Sequence, residues 1–84
     1  MRQKTVNIFG QDYVLQKVMP REWIKLRRRC KDSKSELDDE KFYPEILQHI
    51  VVNPKMTIDD FEEIEDLEEV VKEAITFQCK REEE

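Results

Sequence analysis

The sequence predicts an α+β fold, with an N-terminal β-hairpin followed by a bundle of about four helical segments. Two observations lead there. Apolar residues alternate with period two up to Val18 and recur at helical spacing afterwards. The only glycine, Gly10, lies between two short runs rich in β-branched and aromatic residues, as a hairpin turn requires. At 84 residues, with 38% hydrophobic and 42% charged residues, the chain allows a single domain, 1–84, with a modest core.

Lys4–Phe9 and Asp12–Val18 read as the two strands. Placing Gly10 and Gln11 in a two-residue type II′ turn pairs Ile8 with Tyr13 and Val6 with Leu15, all on one face. Two strands alone are marginal, so that face must pack on helices. Pro20 suits a first helical position, and Trp23, Leu26 and Cys30 follow as one apolar stripe. Asp32–Ser35 is polar and reads as a loop.

Asp38–Val52 has a helical pattern, with Phe42, Ile46, His49 and Ile50 on one face. Pro44 either kinks this helix or starts its main part, and the second reading is favoured because proline fits a helix start. Asn53-Pro54 closes the helix. Thr57 and Asp60 resemble a capping box that opens a short helix carrying Phe61 and Ile64. Asp66 and Glu69 resemble a second cap. The last helix then places Leu67, Val70, Val71, Ala74, Ile75 and Gln78 on its buried side. Phe77 falls off this stripe and reads as exposed. Lys80 and Arg81 favour a helix C-terminus, and Glu82–Glu84 read as a frayed tail. The core is expected to draw on Trp23, Leu26, Phe42, Ile46, Ile50, Phe61, Val70 and Ala74.

Known catalytic patterns do not occur. There is no glycine-rich phosphate loop, no GxSxG, and no fixed partner for the one histidine. The acidic run Asp59–Glu69 lacks the alternation and central glycine of a calcium loop and reads as a solvated face. Cys30, Cys79 and His49 are too few and too far apart in sequence for structural zinc. The cysteines read as free thiols acting as small hydrophobes. The expectation is a non-enzyme with no catalytic residue, no cofactor and no metal.

Charge is strongly divided. Residues 1–31 hold nine Lys or Arg against two acids, a net of +7, while residues 32–84 hold six against eighteen, a net of −12. The acidic excess disfavours nucleic-acid binding by the molecule as a whole. A small nucleic-acid-binding regulator acting through Arg27–Arg29 is the alternative function, although no helix-turn-helix pattern or aromatic stacking platform accompanies the cluster. The candidate interaction surface is Arg27, Arg28, Arg29, Glu62, Glu69 and Phe77. Opposite ends that meet head to tail would give weak, salt-sensitive homo-oligomers. No apolar run is long enough to span a membrane and no secretory h-region follows Met1, so a cytoplasmic setting is expected.

Leu47–Lys55 runs a helix into an apolar-apolar-x-Pro-Lys turn, followed by Met56–Phe61 and Asp66–Glu73. This succession, with Leu26–Cys30 and its polar loop before it, resembles the tail assembly chaperones of long-tailed bacteriophages and prophages. The resemblance implies a non-catalytic protein that binds the tape measure protein in the host cytoplasm. It would keep that long helical client soluble until tail tube protein polymerises around it, and would be absent from the mature virion.

Overall fold

The computed structural model describes residues 3–80. Strands β1 (Gln3–Ile8) and β2 (Gln11–Gln16) form the hairpin, and helix α1 spans Pro20–Arg29. Helix α2 (Asp39–His49) runs directly into a third strand, β3 (Val51–Asn53). A 3₁₀ turn at Ile58–Asp60 leads to the long helix α3, Ile64–Cys79. The fold is therefore α+β, with an antiparallel sheet in the order β1-β2-β3. The expected tail at Glu82–Glu84, and Arg81 beside the helix end, lie outside the described residues.

The hairpin turn is Phe9-Gly10 rather than Gly10-Gln11. Both residues have positive φ, 50° and 87°, as a type I′ turn requires. Asn7 secures it, with its amide donating to Asp12 Oδ1 at 2.8 Å and its Oδ1 accepting from the Gly10 N–H at 3.2 Å. Val6 then faces Tyr13 and Lys4 faces Leu15. The pairing differs from the expected one by two residues. It therefore keeps Val6, Ile8, Tyr13 and Leu15 on one face, because side chains alternate with period two.

Strand β3 occupies residues expected to end a helix. Ile50 terminates α2, and Val51 and Asn53 pair with Leu15 and Val14 across an irregular register. The Gln16 N–H donates to the Ile50 carbonyl at 2.8 Å, fixing the point where helix becomes strand. The Lys55 ammonium donates to the Gln48 and Val51 carbonyls at 2.8 and 3.2 Å, placing positive charge at the end of α2.

Pro44 lies inside α2 and does not start it. The start is set by Asp38, whose carboxylate accepts from the Glu40 N–H at 3.0 Å. Pro44 and Glu40 are both exposed, so the carbonyl left without a helical donor is open to water. Thr57 and Asp60 form the expected capping box, with Asp60 Oδ2 accepting from the Thr57 N–H at 2.8 Å, but the turn it caps is only three residues long. Ile64 belongs instead to the start of α3, and Asp66 lies in the first turn of that helix rather than capping it.

One apolar core joins the sheet face to all three helices, with Leu15, Ile46, Ile50, Val51, Val70 and Ala74 fully inaccessible. Trp23, Leu26 and Phe42 are buried as expected, whereas Phe61 is half-buried and packs against the edge of the core. Phe77 is buried, contrary to expectation. It stands seven residues after Val70, two helical turns on, and so returns to the same face. Cys30 is a buried thiol that donates to the Lys41 carbonyl at 3.5 Å, but Cys79 is exposed and fills no hydrophobic position. Gln78 ties the far end of α3 to the start of the chain. Its Oε1 accepts from the Val18 N–H at 2.8 Å and its Nε2 donates to the Val18 carbonyl at 3.0 Å.

Candidate interaction surface

Helix α1 buries Trp23 and Leu26 and turns its basic residues outward. Successive residues lie about 100° apart around a helix, so Arg27, Arg28 and Arg29 cannot share one face. Arg27 and Arg28 line a shallow pocket with Ile24, Lys31 and Leu37. The Arg27 guanidinium also sits 5.8 Å from the centre of the Trp23 ring. Arg29 turns toward α2, where its Nη2 and Nε donate to Glu45 Oε1 at 2.8 and 3.0 Å. That hydrogen bond holds the guanidinium pKa above its ordinary value. The other Glu45 oxygen lies 3.4 Å from His49 Nε2, so the predicted triple-arginine cluster divides into an open pair and a paired third.

The remaining candidates are dispersed. Glu62 lines a wide cleft with Tyr13, Phe61, Asp60 and Asp66, of about 640 Å³. Glu69 lies 3.8 Å from Lys72 along α3. Phe77 belongs to the core, with the Lys17 ammonium 5.4 Å from its ring centre. A buried ring is not available to a partner, so Phe77 is not a surface contact.

Two apolar features went unnoticed in the sequence. Ile24 and Leu37 are 49% and 43% exposed beside the basic pair, and Ile64 is 64% exposed amid the acidic run. The signal for Ile24 was available: it lies off the Trp23–Leu26–Cys30 stripe, among charged neighbours. A third opening, of about 350 Å³, runs between α2 and α3. Phe42, Tyr43, Val71 and Ile75 line it, with Asp39, Glu68 and Lys72 beside them.

Three buried or half-buried groups hold their protons more tightly than usual. Burial raises the Cys30 thiol above its ordinary 9.0, with Glu45 adding to the effect. Burial likewise raises Tyr13, helped by Asp66, and Tyr43, helped by Asp39 and Glu68, above the ordinary 10.0. In each case the folded state binds the proton better than the unfolded state does. Their contribution is thus intact below the unfolded values and is lost as pH rises from 9.0 through 10.0 and beyond. The urea midpoint should therefore fall between about pH 8 and about pH 10.5, and a flat midpoint would contradict these environments.

Among the described residues, no group of three or more His, Cys, Asp or Glu is placed to hold a metal ion. No described helix is long and apolar enough to cross a membrane. Comparison with family models, curated proteins and solved structures gives no match to this chain.

Proposed function

We propose that this protein is a non-catalytic assembly chaperone of the long-tailed phage type, which holds a helical segment of a tape measure protein during tail assembly. The observation that carries the reading is the apolar groove between α2 and α3. A groove between two helices, with Tyr43 and Ile75 half-buried along it, suits the apolar face of an amphipathic helix. Asp39, Glu68 and Lys72 beside it offer both signs of charge to the polar edges of such a helix. The motif succession from Leu47 to Glu73 supports the same reading. The chaperone would act in the host cytoplasm and leave before the virion is complete. Tail tube protein is a second partner in this reading, met as it polymerises around the client. The regulator alternative is weaker, because Arg29 is engaged by Glu45 and only Arg27 and Arg28 remain open beside Lys31.

The test is co-expression with the tape measure protein of the same phage or prophage. The expected result is a soluble client that co-purifies with this chain, and loss of the complex in Tyr43→Ala, which truncates a groove wall. A client that stays insoluble, or that binds Tyr43→Ala as well as the native chain, would overturn the reading.

A further inference from the structure

Ile24, Arg27 and Arg28 fall at i, i+3 and i+4 and so share the outward side of α1, and Lys31 follows two residues after the helix ends. Backbone pairing of Lys31 with Leu37 brings the loop after α1 against the same side. The five residues line this shallow, half-open pocket of about 170 Å³. A cavity of roughly 150 Å³ admits a guest the size of benzene, so the space suits one branched aliphatic side chain. Half-exposed Ile24 and Leu37 supply the apolar lining, and three cations form the rim. None of those cations forms an ion pair with a described residue.

The same molecule carries the complementary feature on another element. Ile64 projects at the first position of α3 and is 64% exposed. Glu62, Glu63, Glu65 and Glu68 surround it in sequence, all exposed and in no ion pair with a described residue. We infer that the pocket on α1 receives Ile64 from a second copy of this chain, with Arg27, Arg28 and Lys31 meeting the glutamates around that isoleucine. An apolar plug ringed by acids matches an apolar socket ringed by bases in apolar character and in charge. Phosphate alone would leave Ile24 and Leu37 without a partner. Plug and socket are different surfaces, so the contact is heterologous and extends from copy to copy unless it closes into a ring. It does not depend on the identity of the client.

The test is sedimentation velocity on the full chain at low and high salt. At about 0.01 M salt the average mass should rise with protein concentration up to about 1 mM. At about 1 M, where the Debye length is near 3 Å, it should return toward the monomer. Ile64→Ser removes the plug and Arg28→Glu spoils the socket. Each should weaken association at least about tenfold, since both an apolar burial and matched charges are lost. Both side chains are exposed, so circular dichroism should match the native chain. Mixed together, the two variants should form one-to-one dimers, because one retains a socket and the other a plug. A native chain that stays monomeric at about 0.01 M salt would overturn the inference and leave the pocket to a different acidic partner. So would undiminished association of Ile64→Ser, or a mixture that stays monomeric.

Discussion

Replacing Phe42 by alanine is expected to cost about 3–5 kcal/mol of folding stability, the range for truncating a buried phenylalanine. The ring is buried and sits 5.9 Å from the centre of Trp23 at a 52° tilt, linking α2 to α1. Val71 and Ile75 of α3 line the same groove as Phe42 and belong to or pack on the same core, so the ring lies where three helices meet. A domain of this size has a total stability of about 4–13 kcal/mol, so the variant should be marginal or largely unfolded at room temperature. Urea denaturation followed by circular dichroism measures the loss, with fluorescence of the single tryptophan as a second probe. A cost below about 1 kcal/mol would be incompatible with a buried ring.

Gln78→Leu is expected to lose about 1–3 kcal/mol, although it adds an apolar side chain to an amphipathic helix. The native amide satisfies both backbone groups of Val18 at 2.8 and 3.0 Å in a part-buried position. Leucine has a similar reach but leaves that N–H and C=O without their partner, and the desolvation cost of both remains. Hydrogen exchange gives the sharper reading: the Val18 amide should be protected in the native chain and should exchange faster in the variant. Equal Val18 exchange in the two proteins would mean that the clamp does not persist in solution.

Features that depend on several residues in regular spacing were legible before the structure. The Trp23–Leu26–Cys30 stripe and the shared face of Val6, Ile8, Tyr13 and Leu15 appear as read, and so does the α2 face of Phe42, Ile46 and Ile50, from which His49 departs to lie half-exposed beside Glu45. Features decided by a single residue or a tertiary partner were not. Strand β3 is three residues long, too short for alternation to show, and exists because Val14 and Leu15 are there to pair with it. Pro44 drew attention from Asp38, whose capping bond starts the helix six residues earlier. The interaction surface was legible only in outline. The basic and acidic halves were visible in the sequence, but which arginine remains open depended on Glu45 lying across from Arg29. Whether Phe77 was inside depended on extending the heptad from Val70.

The bond between Val18 and Gln78 spans 60 residues, and this sets a timetable for the ribosome. The hairpin is made first, and its apolar side has no permanent cover until α3 arrives. At a synthesis rate of about 5–20 residues per second, the interval between making Val18 and making Gln78 is roughly 3–12 s. A hairpin forms within about 1–10 μs, so the early strands wait through a very large number of opening and closing events before the last helix locks them. The nascent chain must pass that time with Val6, Ile8, Tyr13 and Leu15 shielded by the exit tunnel, by a folding factor or by transient collapse. For the hairpin, the arrival of α3 and the closing of its apolar face become nearly the same event.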